Sequence, residues 1–433
     1  MSTPMPITAS INSAGHLQIG GCDLVDLAQK FGTPLYVFDE ATLRAQCQGY
    51  TKPLAAAYPD SLAIYACKAF INPALAKIID QEGMGLDVVS GGELFVAHRS
   101  GFPMHKVYFH GNNKSSQELA LALDLGAGRI VIDNLHEMAM LNHLAVQKGK
   151  RVPVLLRLSP GVDAHTHAAI STGIVDSKFG FLIATGQAEA ALSQALSSPG
   201  LEVVGIHAHI GSMIFELEPY HLTIDTLLDF AAEMRQRHGL VLREFSPGGG
   251  WGIAYTAQDR PPTLSEVVQM VTTWVKESAA QHDLPWPRLI LEPGRSIVGP
   301  AGIALYSVGS SKDIPGVRKY VAVDGGISDN IRPAIYGSRY EAVVANRMND
   351  LPEETVTIAG KYCESGDVLI RDIALPRLAP GDLLALPAAG AYCLSMASNY
   401  NLALRTAVVL VKDGQARLIR RRETYEDLLR FDL

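Results

Sequence analysis

The sequence predicts an α/β fold, a (β/α)8 TIM barrel, joined to a second domain that is all β. Three observations support this. Between Leu62 and Glu292, short apolar runs alternate with longer helical patterns. The alternation gives eight strand–helix units over a span near the usual size of such a barrel. After Arg295 the texture changes to β-rich runs separated by Gly, Pro and Asp turns, and helical spacing becomes sparse.

The strand-like runs of the first domain are Leu62–Cys67, Leu86–Val89, Val107–Phe109, Arg129–Ile132, Val152–Leu158, Val203–His209, Leu242–Phe245 and Leu289–Leu291. Helical patterns lie between them, as at Asn72–Gln81, Gly92–His98, Ser116–Leu125, Leu135–Gln147 and Tyr220–Arg237. An open doubly wound sheet alternates in the same way and remains the second reading. The later runs are Gly302–Val308, Lys319–Val323, Val356–Ala359, Asp382–Leu386 and Thr406–Val411, read as a small C-terminal β-barrel. Two opening runs, Ile7–Ile11 and His16–Ile19, are assigned to that β domain. The expected division is therefore residues 1–31 with the β domain, 32–295 as the barrel and 296–433 as the C-terminal β domain.

At 433 residues the chain is long enough for two domains with sizeable cores. Its 37 basic and 44 acidic residues leave a net charge of −7, which argues against a polyanion or nucleic-acid binder. The basic run Arg420-Arg421-Arg422 is followed by Glu423, Glu426 and Asp427 and reads as a solvated strand end. Five cysteines form no CxxC pair, so neither a disulfide framework nor a structural zinc site is expected. The N-terminus lacks a basic-then-apolar leader pattern, and no run has the length of a membrane span. The expected compartment is the cytoplasm.

The chemistry-bearing residues fall at the carboxyl ends of the barrel strands, where such barrels build their sites. Lys68 ends the first strand and Asp87 the second. His207 to Ser212 follow the sixth, Gly248-Gly249-Gly250-Trp251-Gly252 the seventh and Glu292-Pro293-Gly294-Arg295 the eighth. Lys68 alone reads most simply as a surface lysine, but a desolvated amine at that place can condense with an aldehyde. The glycine cluster fits a phosphate cradle or a tight turn equally well, and it matches neither a dinucleotide fingerprint nor a P-loop. His207 and His209, two apart on a strand, share one side. They lack the third ligand that a metal site needs, although His165 and His167 repeat the spacing. An imidazole stacked on an aromatic cofactor is the better functional reading of the pair, and a hydrogen-bonded core histidine suits His207. Glu292, after an apolar run, needs either Arg295 or a protonated ring nitrogen as partner. An amine, a phosphate cradle, a stacking imidazole and such a carboxylate together describe a pyridoxal phosphate site.

With these residues, the chain resembles the alanine-racemase-like (fold type III) pyridoxal phosphate decarboxylases, and among them the diaminopimelate decarboxylase branch. The resemblance is carried by Tyr65-Ala66-Cys67-Lys68-Ala69, His110 to Ser115, Asp176 to Gly180, His207 to Ser212, Glu292 to Arg295, Arg332 to Gly337, Cys363 to Asp367 and Gly390-Ala391-Tyr392. It implies Lys68 as the lysine that holds the cofactor, His209 against the ring face, Glu292 at the ring nitrogen and Asp87 nearby. It places phosphate contacts at Ser212, Gly249, Gly250 and the backbone of Glu292, Pro293, Gly294 and Arg295, with Tyr392 close by. It also implies a homodimer with shared sites, in which Cys363 and Glu364 serve the opposite subunit and Cys363 protonates Cα after carbon dioxide leaves. From the residues alone, Cys363 reads as a buried inert thiol. The sequence departs from the family pattern at Met213 and Trp251.

Substrate choice follows from charge. Diaminopimelate carries a second amino-acid head, so its site needs both an anion and a cation at the far end. Glu364 supplies the anion, and Arg295, Arg332 and Tyr336 supply a grip for the carboxylate. A lysine, ornithine or carboxynorspermidine decarboxylase is the rival within the enzymes. A pyridoxal phosphate carrier without turnover is the rival outside them, and the Cys363-Glu364 pair argues against it.

Overall fold

A computed structural model describes residues 3–163 and 177–433. The chain divides into two compact units, one of residues 47–252 with 261–294, the other of residues 1–46 with 253–260 and 295–433. His165, His167 and Asp176, named above, lie outside the described residues.

In the first unit, eight parallel strands among the described residues close into a barrel. They are Ser61–Ala66, Gly85–Val88, Val107–Phe109, Arg129–Ile132, Val152–Ser159, Leu201–His207, Glu244–Ser246 and Arg288–Leu291. Registers such as Ile64 on Gly85 and Ile130 on Val154 run around the ring, and Leu289 on Ser61 closes it. This closure excludes the open doubly wound sheet. Inside, Leu62, Ile64, Tyr108, Val131, Leu155, Val204 and Ile290 form one buried cluster. Burying each such side chain contributes about 1.5–3 kcal/mol, so the ring is filled rather than hollow. The Tyr108 hydroxyl donates to Glu244 Oε2 at 3.1 Å, and Arg129 grips the same carboxylate with two N–H groups.

Helices start where side chains satisfy the first backbone N–H groups. Asn72 Oδ1 accepts from the Leu75 N–H at 2.9 Å, and Pro73 occupies the first turn of helix Pro73–Gln81. Ser115 and Glu118 form a reciprocal capping box at Ser116–Leu125, and Asn134 caps Leu135–Gln147.

The second unit carries a nine-stranded sheet and a separate three-stranded one. Gly302–Ile314 is its hub, pairing antiparallel with Arg318–Val323, Leu383–Leu386 and Leu35–Asp39. Leu35–Asp39, buried throughout, also pairs in parallel with Ala407–Lys412. That pairing moves the division of the chain to residue 46 instead of 31, because the Leu35–Asp39 strand belongs to the β unit. The opening strands Ser10–Ile11, Leu17–Ile19 and Cys22–Asp23 pair only with one another, yet Leu17 and Ile19 pack into one core with Leu35, Ile303 and Val409.

Candidate active site

The first strand ends at Ala66, and Lys68 lies in the single 3₁₀ turn Cys67–Ala69 that follows it. Its side chain is exposed in this chain, so the expected desolvated amine is not observed. The ammonium still acts on its surroundings. It favours the charged forms of Asp87 and Glu93 and disfavours that of His209. The Ala66 N–H donates to the Pro293 carbonyl at 2.9 Å, which ties the turn bearing Lys68 to the loop after Glu292.

Glu292 is the centre of a buried polar group at the carboxyl ends of the barrel strands. Its Oε2 lies 3.1 Å from His207 Nε2, and its Oε1 accepts from the Ser246 hydroxyl at 2.8 Å. These two side chains hold the carboxylate within the barrel unit. His110 Nε2 stands 3.7 Å from both Glu292 Oε1 and Asp87 Oδ1. Burial opposes the Glu292 charge, but the imidazoles of His207 and His110 outweigh it and hold the carboxyl well below its usual range. Asp87 goes the other way. Burial, with Glu292 and Glu93 adding to it against Lys68, pushes its carboxyl up to about 8. Burial also drives His110 well below the ordinary imidazole value. Two carboxylates in one pocket are thus set to opposite protonation states near neutral pH.

The Leu201–His207 strand stops at His207, so His209 lies beyond it and the two rings do not share a strand face. His209 is half-buried, and its Nδ1 accepts from the Gly249 N–H at 3.4 Å. Burial, then Lys68, keeps this imidazole neutral by pulling it well below its ordinary value. The glycine turn has a packing reason of its own. A Cβ on Gly249 would stand 1.9 Å from the Glu292 carbonyl, and one on Gly250 2.2 Å from the Gly211 carbonyl. Only glycine lets these three loops approach so closely. Trp251 is buried against Tyr220 and Tyr50 behind the turn, and Met213 has a left-handed backbone with φ of 61°. Ser212 is exposed.

Beneath this group lies a buried ion pair. Lys114 Nζ donates to Glu137 Oε1 at 2.8 Å and to the Gly111 and Val131 carbonyls. Arg157 sits 3.7 Å from Asp133 and stacks on Phe179. Sequence reasoning gave Ser246 and Arg157 no place, and His110, though it opens a stretch that carries the resemblance, no role at the site. For His110 and Ser246 the signal was available, since each stands at or just past a strand's carboxyl end.

His110, His207 and Glu292 each offer one ligand atom within 4.8 Å of the others, the grouping that metal-binding geometry finds among the described residues. Hydrogen bonding between His207 and Glu292 accounts for that closeness without an ion. The group fits pyridoxal phosphate better. Glu292 is a buried ionised carboxylate suited to a protonated ring nitrogen, and Asp87 Oδ1, His110 Nε2 and His207 Nδ1 are buried without hydrogen-bond partners.

In the β unit, Arg295 and Arg332 are buried among tyrosines. Arg295 Nη1 donates to the Tyr255 hydroxyl at 2.6 Å and its guanidinium stacks on Tyr392 at 4.6 Å. Arg332 lies over Tyr255 at 5.2 Å and donates from Nε to the Tyr340 hydroxyl and from Nη2 to Ser338. Tyr336, 61% exposed, lies beside Arg332. Tyr255 and Tyr340 carry no local sequence signal. Cys363 and Glu364 lie in an exposed loop, so the buried-thiol reading of Cys363 is corrected. The Cys363 N–H donates to Asn401 Oδ1, and the Tyr400 hydroxyl donates to the Cys363 carbonyl.

Residues 40–299 match the family described as pyridoxal-dependent decarboxylase, pyridoxal binding domain. Diaminopimelate decarboxylase of Bacillus subtilis (strain 168) is 48% identical over 98% of this chain and 97% of its own length. That of a Synechocystis species is also 48% identical, over 99% of this chain and 92% of its own. A crystal structure of diaminopimelate decarboxylase from M. jannaschii in complex with L-lysine superposes with a TM-score of 0.93 at 35% identity, covering 99% of this chain and 98% of that one. Fold and sequence agree, and the chain belongs to the diaminopimelate decarboxylase family of pyridoxal-dependent decarboxylases.

Proposed function

We propose that the chain removes carbon dioxide from meso-2,6-diaminopimelate to give L-lysine, the last step of lysine biosynthesis, using pyridoxal phosphate held by Lys68. The observation that carries this reading is Glu292, a buried carboxyl held well below its usual range at the carboxyl end of a barrel strand, with His207 3.1 Å away and Ser246 donating to it. Pyridoxal phosphate, when bound, supplies an electron-poor ring that accepts the electron pair left at Cα as carbon dioxide departs.

The chain's own residues bind, orient and move protons. Lys68 holds the cofactor through its aldehyde carbon. Glu292 keeps a proton on the ring nitrogen, and His207 and Ser246 fix the carboxylate that does so. His209, neutral and half-buried, would lie against the ring face, and Asp87 would add a protonated carboxyl nearby. The phosphate would be held by Ser212, Gly249, Gly250, the backbone of Glu292, Pro293, Gly294 and Arg295, and Tyr392. Arg295, Arg332, Tyr336 and Tyr392 receive the substrate's far carboxylate, and Glu364 receives its far ammonium. Cys363, exposed in this chain, delivers the proton to Cα in the opposite subunit of a homodimer. The proposed setting is the cytoplasm, where free thiols such as these five cysteines persist.

Borohydride reduction of the cofactor-loaded protein, followed by peptide mapping, tests the assignment of Lys68. The adduct is expected on the peptide containing Lys68. An adduct on any other lysine overturns it.

A further inference from the structure

Arg332 is held by a chain of hydrogen bonds that begins at its Nε–H. Its Nε–H can only donate, and the Tyr340 hydroxyl accepts it at 2.9 Å. The phenol's own hydrogen has Cys393 Sγ within reach, 3.5 Å away. The thiol hydrogen then goes to Asn330 Oδ1 at 3.4 Å, with the Ala391 carbonyl at 3.7 Å as the alternative acceptor. All four side chains are buried. Burial foremost, with Cys393 next, pushes the Tyr340 phenol well above its ordinary value, and burial pushes the Cys393 thiol up to about 11. Both groups therefore keep the hydrogens that the chain requires.

The geometry of the guanidinium gives this chain a consequence. Nε and Nη2 form one donor edge, and Tyr340 and Ser338 occupy it at 2.9 and 3.0 Å. The remaining fork is the Nη1–Nη2 end. The rings of Tyr255, Tyr392 and Tyr336 surround the group at 5.2 to 5.9 Å from Cζ.

We infer that Tyr340 and Cys393 are positioning residues that lock Arg332 so that it meets the substrate carboxylate end-on, through its Nη1–Nη2 fork. The inference rests on the reading of Arg332 as a carboxylate receptor. Tyr340 and Cys393 touch neither substrate nor cofactor in this scheme. They act through Arg332, and their effect is therefore confined to ligands that use it. Cys393 is tied to this role by being both acceptor and donor, which serine reproduces and alanine does not.

L-Lysine keeps the carboxylate that Arg332 receives, so its binding to the cofactor-loaded enzyme by titration calorimetry is the readout. Tyr340→Phe is expected to raise the lysine Kd about tenfold, the usual cost of a hydrogen bond to a charged group. Arg332→Lys is expected to raise it further. The double variant should match Arg332→Lys within about twofold, because residues acting through one group do not add. Cys393→Ser should bind lysine like the parent, and Cys393→Ala several times more weakly. Parental binding by Tyr340→Phe, or full multiplication of the two losses in the double variant, overturns the inference while leaving Arg332 as the receptor. Parental binding by Arg332→Lys removes the receptor role and this inference with it.

Discussion

His207 Nε2 stands 3.1 Å from Glu292 Oε2, and both side chains are buried. An ionised carboxylate in such a place is stable only while its partners remain, so the imidazole determines whether Glu292 can hold a ring proton. Glu292→Gln keeps the shape and loses the charge. Turnover is expected to fall by about a hundredfold or more, with cofactor retention reduced far less. Parallel measurement of kcat and bound pyridoxal phosphate checks this, and parental turnover would remove the ring-nitrogen role.

Asp87 gives a pH dependence with a definite sign. Its carboxyl is raised from 3.8 to about 8 by burial first and by Glu292 and Glu93 after it, with Lys68 and Arg157 opposing and His110 beside it. A raised acid binds its proton more tightly in the folded state, so the folded protein loses stability as pH rises from about 4 to about 8. Asp87→Asn has no proton to lose. The thermal midpoint of the cofactor-free variant should therefore gain on that of the parent between pH 5 and pH 8. A gap that stays constant or shrinks contradicts the assignment.

Much of the barrel was legible in the sequence because its strands are short apolar runs between capped helices. Val107–Phe109, Arg129–Ile132, Ser116–Leu125 and Leu135–Gln147 have the bounds the pattern predicted. Leu35–Asp39 was missed for a physical reason. It is an apolar run followed directly by helix Glu40–Ala57, which is what a barrel strand looks like, and only long-range pairing with Gly302–Ile314 and Ala407–Lys412 places it in the β unit. At the site, strand-end position pointed to Lys68, Asp87 and Glu292. The same rule would have found His110 and Ser246. The tyrosines around Arg295 and Arg332 come together only through tertiary packing, which no spacing encodes.

The shared sites proposed above make a prediction about mixtures. Lys68→Ala and Cys363→Ala place their defects in different halves of each composite site. Random subunit exchange makes about half of the dimers mixed, each with one intact site, so about a quarter of parental activity should return. No recovery, with exchange confirmed by mass spectrometry, means that each chain completes its own site or that Cys363 is dispensable. Activity of Cys363→Ala alone separates these two outcomes.

Carbon dioxide release from meso-diaminopimelate, L-lysine and L-ornithine by the purified, cofactor-loaded protein is the most direct test. A site with a guanidinium for the far carboxylate and a carboxylate for the far ammonium leaves buried charge unpaired with the simpler diamino acids. Release from diaminopimelate alone, with one L-lysine formed per carbon dioxide, is the predicted result. Release from lysine or ornithine at a comparable rate contradicts it.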